Sequence, residues 1–155
     1  MDTIPLNILL ADDDEDDCLF FKQALAELPV DSTLTTVYDG EELMRFLTKK
    51  SASLPQVLFL DLNMPRKNGL ECLSEIKQDK NLRQLPVIIL STSFDQEMAN
   101  LLYTNGVHYC IQKPSGFDKL RQVIEQVLDL VANTDFARPI QKNFFLEGKS
   151  KTRIP

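Results

Sequence analysis

Residues 57–65 read Val57-Leu58-Phe59-Leu60-Asp61-Leu62-Asn63-Met64-Pro65. Apolar side chains in succession suit a strand buried on both faces, as in parallel sheets covered by helices. The run stops on a carboxylate. Three other stretches share that plan: residues 8–11 (ILLA) run into Asp12 and Asp13, residues 87–90 (VIIL) into Ser91, and residues 109–111 (YCI) are followed shortly by Lys113.

Working outward, β-branched or Leu-rich runs fall near 6–11, 33–37, 56–60, 86–91 and 108–112. They alternate with helical periodicity near 14–28, 39–49, 69–79, 94–105 and 116–132. Five β-α units in this order predict an α/β fold, a (βα)5 doubly wound parallel sheet. Such a sheet binds ligands in the crevice outside the carboxyl ends of its strands, so Asp12, Asp13, Asp61, Ser91 and Lys113 are expected to meet there. Crowded carboxylates repel unless a group titrates or a cation sits among them. Mg²⁺ fits best, because it keeps several waters and completes its shell with phosphate oxygens.

The acidic run from Asp12 to Asp17 divides in two. Acids are favourable at a helix N-terminus, so Asp14 to Asp17 are read as the first turn, with Asp14 as its cap. Asp12 and Asp13 directly follow a buried strand, where charge carries a desolvation cost unless it is paired or binds metal. Phe20, Phe21, Ala24, Leu25 and Leu28 form an apolar stripe expected to face the core, as do Val123, Ile124, Val127, Leu128 and Val131.

Composition narrows the function classes. A chain of 155 residues with 43% apolar content suits one domain with a real core. No apolar run approaches the roughly 20 residues of a membrane span, and the N-terminus lacks the features of a signal peptide, so a cytoplasmic protein is expected. Cys18, Cys72 and Cys110 are far apart and flanked by apolar residues, which reads as buried thiols rather than disulfides or a zinc site. A net charge of −6 argues against direct nucleic-acid binding. The five glycines are scattered, which excludes a Gly-rich phosphate loop after the first strand.

These residues resemble the receiver domain of two-component response regulators (CheY-like) over about residues 5–132, with stand-alone, phytochrome-partnered regulators nearest in style. The resemblance implies a flavodoxin-like receiver fold of strand order 2-1-3-4-5, an order that belongs to the family and is not read from spacing. By the same resemblance, Asp61 is the phosphoacceptor, and Asp12, Asp13, Asp61 and the backbone carbonyl of Asn63 hold Mg²⁺. Ser91 is the hydroxyl switch and Lys113 the phosphoryl contact, while Pro65 and Gly69 match the loop after the acceptor strand. The implied partners are a sensor histidine kinase or histidine phosphotransfer protein, docking at exposed residues of the first helix such as Leu19 and Lys22, and an unidentified downstream protein. One departure concerns the switch: Cys110 stands where many receivers carry an aromatic, leaving either Tyr109 to substitute through a small register change or signalling to rely mainly on Ser91 and the loop after it. In another departure, Thr92 follows Ser91 where smaller residues are common.

Residues 133–155 are expected to form a C-terminal extension to a receiver domain of residues 1–132, with no output domain. The extension carries five basic and two acidic residues, net +3, against −9 for residues 1–132. Its last eight residues suit a disordered end. Phe136, Phe144, Phe145 and Leu146 argue instead for docking, on the receiver itself, a second copy in a homodimer, or a kinase. Two rival readings differ in chemistry. A haloacid-dehalogenase-type phosphatase needs a second acid two residues after its nucleophile, and Asn63 cannot serve as one. A receiver-shaped adaptor working without phosphorylation would not need the full set of Asp12, Asp13, Asp61, Ser91 and Lys113.

Overall fold

The computed structural model describes residues 5–49, 53–132, 138–139 and 143–146. Along the chain it comprises β1 (Leu6–Ala11), α1 (Glu15–Ala26), β2 (Ser32–Val37), α2 (Gly40–Leu47), β3 (Val57–Asp61) and α3 (Gly69–Gln78). These are followed by β4 (Val87–Ser91), α4 (Gln96–Thr104), β5 (Tyr109–Gln112), α5 (Phe117–Ala132) and β6 (Phe145–Leu146). The strands form one parallel sheet of order β2-β1-β3-β4-β5-β6. The expected five-strand order is present, extended at one edge by a sixth strand that periodicity does not announce.

Every residue of β3 and β4 is buried, because helices cover both faces of the sheet. Side chains alternate between two cores. Leu58, Leu60, Ile89 and Cys110 face α2, α3 and α4, whereas Phe59, Ile88, Leu90 and Ile111 face α1 and α5. Phe21 packs edge-on against Phe59 with ring centroids 4.9 Å apart. The expected α1 stripe needs one correction: Phe20 is 51% exposed, because helical spacing runs the buried line through Cys18, Phe21, Ala24, Leu25 and Leu28 and leaves Phe20 beside Leu19 in solvent.

Asp14, Asp39, Asn68 and Asp95 cap α1, α2, α3 and α4 with side-chain oxygens that accept first-turn N–H groups. Asn68 and Glu71 complete a reciprocal capping box. These caps fix where each helix leaves the crevice above the strand ends.

Residues 144–146 pack on the β5 edge of the sheet. Cys110 N–H donates to Phe144 carbonyl oxygen at 3.0 Å, and Phe144 is buried beside Leu102, Val107 and Cys110. Tyr103 packs edge-to-face with Phe144, ring centroids 5.1 Å apart, and the Arg138 guanidinium lies over its ring 4.2 Å from the centroid. Phe136 and the last eight residues lie outside the described residues. Among the described residues, no helix is long and apolar enough to cross a membrane.

Cys18, Cys72 and Cys110 are free, buried thiols, as expected. Burial pushes Cys18 and Cys72 up to about 12, so neither is a thiolate at neutral pH.

Candidate phosphoryl-transfer site

β1 ends at Ala11, and Asp12 continues its ladder by donating its N–H to Val37 at 3.1 Å. The chain then turns: Asp14 N–H donates to Asp12 Oδ1 at 3.0 Å, and Asp14 in turn receives the N–H groups of Asp16 and Asp17. At the end of β3, Asn63 N–H donates to Asp61 Oδ1 at 3.1 Å and folds the following loop over the carboxylate. That loop passes through Arg66 at φ 68°, a left-handed conformation that a non-glycine residue adopts at a cost. It then comes back against β3 at Gly69, where a Cβ would lie 2.7 Å from the Asp61 carbonyl oxygen.

Asp12 and Asp61 are buried, and Asp13 is exposed. Exposure of Asp13 corrects the expectation that both members of the pair bear a burial cost: one step along an extended chain turns it from the sheet to the crevice mouth. One carboxylate oxygen from each of Asp12, Asp13 and Asp61 lies within 4.8 Å of the other two.

Lys113 is brought to this group by the β4–β5 pairing. Its backbone N–H donates to Ser91 carbonyl oxygen at 2.8 Å, and Pro114 then ends the strand. Its Nζ reaches Asp12 Oδ2 and Asp17 Oδ2 at 3.0 Å each, and Asp61 Oδ2 at 3.4 Å. Burial opposes the ammonium charge, but hydrogen bonds to Asp17 and Asp12 and the charges of Asp12 and Asp61 outweigh it and hold its pKa above the usual lysine value. Asp12 moves the other way from an ordinary carboxyl group. Desolvation pushes it up to about 6, against the opposing Asp14 N–H and Lys113, and the Asp61 charge adds to the rise.

Ser91 is buried at the end of β4, and its hydroxyl donates to Ser93 carbonyl oxygen at 2.9 Å. In this structure the hydroxyl is therefore engaged with its own loop. Phe94, in the same loop, meets Phe145 of β6 edge-on at 5.0 Å. Strand alternation decides the position next to Cys110: Tyr109 packs toward α1 and α5, while Cys110 faces the α4 side and Phe144. Tyr109 thus cannot replace an aromatic at the Cys110 position without reversing the strand face.

Asp17 belongs to the site, although sequence reasoning assigns it to the helix cap alone. The available signal is its place one turn beyond the cap, on a helix that starts at the crevice. Beside it lies a pocket of about 120 Å³ whose lining includes Asp17, Phe20, Lys113, Phe117 and Leu120. Leu19 and Lys22 are exposed on α1.

The acidic group fits a hard divalent cation. Its donors are all carboxylate oxygens, and the desolvated Asp12 gains a counter-charge when a cation enters. A buried Asp61 carboxylate, clustered acids, a hydroxyl and an ammonium at adjacent strand ends suit a site for aspartyl phosphorylation.

Comparisons with known proteins agree. The family model described as "Response regulator receiver domain" matches residues 8–125. A probable methanogenesis regulatory protein, FilR2 of Methanothrix harundinacea, is 30% identical over 126 residues, covering 79% of this chain and 81% of FilR2. Response regulator Rcp1 of Synechocystis is 30% identical over 127 residues, covering 79% of this chain and 86% of Rcp1. A Mn(2+)-bound structure of Rcp1 superimposes with a TM-score of 0.76 at 29% identity, covering 84% of this chain and 96% of that one. The phosphorylated cyanobacterial phytochrome response regulator RcpA gives a TM-score of 0.77 at 33% identity, with the same coverages of 84% and 96%. Fold, site and relatives converge: this chain belongs to the response regulator receiver domain family of two-component systems.

Proposed function

We propose that this chain is a cytoplasmic phosphorylation switch that accepts a phosphoryl group on Asp61 and thereby changes its affinity for a protein partner. The observation that carries this reading is the setting of Asp61: a buried carboxylate at the end of β3, grouped with Asp12 and Asp13 and 3.4 Å from Lys113 Nζ. The donor is a histidine kinase, of phytochrome type by likeness to RcpA, or a histidine phosphotransfer protein.

In the reaction, an Asp61 carboxylate oxygen forms a bond to phosphorus while the bond from phosphorus to the donor imidazole nitrogen breaks, its electron pair returning to the ring. Asp12, Asp13, Asp61 and the Asn63 carbonyl would hold Mg²⁺, which would supply Lewis-acid neutralisation of charge on the phosphoryl oxygens. Lys113 gives one of its hydrogen bonds to a phosphoryl oxygen, and the buried floor of the site limits water. The new acyl phosphate adds about 1.5 to 2 negative charges and strong acceptors. Ser91 then exchanges its bond to Ser93 for one to the phosphoryl group, which moves the loop carrying Phe94. Because Phe94 touches Phe145, this movement reaches the docked extension and the face around α4.

Residues 1–132 serve as the receiver unit and residues 133–155 as an extension that modifies its output surface. The partner is a protein, in keeping with the acidic charge, and a second copy of the chain is one candidate. Donor-to-receiver transfer tests the reading. A histidine-phosphorylated donor domain carrying labelled phosphate is expected to lose label to the wild-type chain and not to Asp61→Asn; equal transfer to both would rule out Asp61 as acceptor.

A further inference from the structure

Lys113 Nζ has three carboxylate partners, and only two of them belong to the group able to share a cation. Asp12 and Asp61 occur in both sets, so a divalent cation and the ammonium compete for the same oxygens. Asp17 occurs in one set only. Its side chain is 40% accessible, against 2% for Asp12 and 6% for Asp61, and it projects from α1 rather than from a strand end. Its backbone is anchored in the first turn of α1, where Asp17 N–H donates to the Asp14 cap at 3.0 Å.

We propose that Asp17 is a positioning residue for Lys113: it retains the ammonium at the rim of the site when Asp12 and Asp61 turn to the divalent cation. Two cations that share a buried pair of carboxylates repel each other, and a third carboxylate bonded only to the lysine relieves that conflict. Lys113 then stays within reach of the acceptor without occupying the place of the metal. Asp17 touches neither the cation nor the phosphorus and acts through Lys113 alone. The purpose of this arrangement rests on the phosphoacceptor reading above.

The test is Mn²⁺ affinity of the full chain, read by electron paramagnetic resonance for wild type, Asp17→Asn, Lys113→Met and the double variant. Asp17→Asn is expected to weaken Mn²⁺ binding about tenfold when Lys113 is present and less than about twofold in the Lys113→Met background. Asp17→Glu, which keeps the carboxylate, is expected to recover most of the loss. Equal losses in both backgrounds would show Asp17 acting as a plain charge and overturn the proposal, as would no loss in either or a wild type that binds no Mn²⁺. Phosphate uptake by the wild type, measured in parallel, separates the two ideas. Coupling without uptake keeps the positioning role and removes the phosphoacceptor reading, and uptake without coupling does the reverse.

Discussion

Replacing Phe144 by Ala tests whether the docked extension is part of the folded unit. The side chain is 1% exposed, its ring meets Tyr103 edge-to-face at 5.1 Å and 86°, and it shares a core with Leu102, Val107 and Cys110. Truncating a buried Phe to Ala costs about 3 to 5 kcal/mol, of which an edge-to-face pair contributes about 1. Tyr103 retains Arg138 over its ring and a 2.9 Å bond from its hydroxyl to Pro139 carbonyl oxygen, which favours the low end of that range. We therefore expect Phe144→Ala to lose about 3 kcal/mol in urea unfolding followed by far-UV circular dichroism, with Tm lower by about 6 to 12 °C. Phe145→Ala is the control: that ring is 39% exposed and should cost about 1 kcal/mol. A loss below about 1 kcal/mol for Phe144→Ala, with an unchanged denaturant slope, would refute the view that the extension is integral.

Three further outcomes are expected. Burial, with Lys77 and Arg138 adding to it, pushes His108 down to about 4 from an ordinary 6.5. The unfolded chain then binds the extra proton first, so His108 removes stability as pH falls from about 6.5 to about 4; partial exposure limits this to about 2 kcal/mol, and His108→Gln should flatten that slope in urea titrations. Asp12 works in the opposite sense. Its raised pKa means that the folded state keeps the proton longer, so its cost appears as pH rises from about 4 to about 6 and stands in full at pH 7. Asp12→Asn should accordingly stabilise the metal-free protein by about 2 kcal/mol at pH 7 and show no rise in Tm with Mg²⁺, where the wild type is expected to show one, a pattern that thermal melts with and without Mg²⁺ would check. Finally, Gly69→Ala places a Cβ 2.7 Å from backbone atoms of Asp61 and Leu62, so it should cost about 2 kcal/mol and slow phosphate uptake by shifting the acceptor loop.

The central strands were legible because a sheet covered on both faces needs apolar side chains at every position, and β3 and β4 read that way without a break. The polar residues that stop those runs, Asp12, Asp61 and Ser91, marked the crevice because a buried polar group at a strand end must find a partner there. β6 left no comparable signal. Two residues carry no periodicity, and Phe145–Leu146 is a strand only because the β5 edge offers it partners. The aromatic pair Phe144 and Phe145 suggested docking, but only the packing of Phe144 against Tyr103 and of Phe145 against Phe94 chooses among the surfaces open to it. Asp17 was hidden by a second role that fits equally well, since an acid in a first turn needs no other explanation. Its pairing with Lys113 spans α1 and the end of β5, elements whose proximity follows from strand order and not from spacing. Phe20 misled because its neighbour Phe21 is buried, and adjacent helical residues point about 100° apart.

The most direct measurement of the central claim is intact mass after incubation with Mg²⁺ and acetyl phosphate, beside Asp61→Asn and an EDTA control. A phosphate-sized gain that requires both Mg²⁺ and Asp61 is the predicted result. A folded wild-type chain that gains nothing, or that gains the same mass with Asp61 replaced, would contradict it.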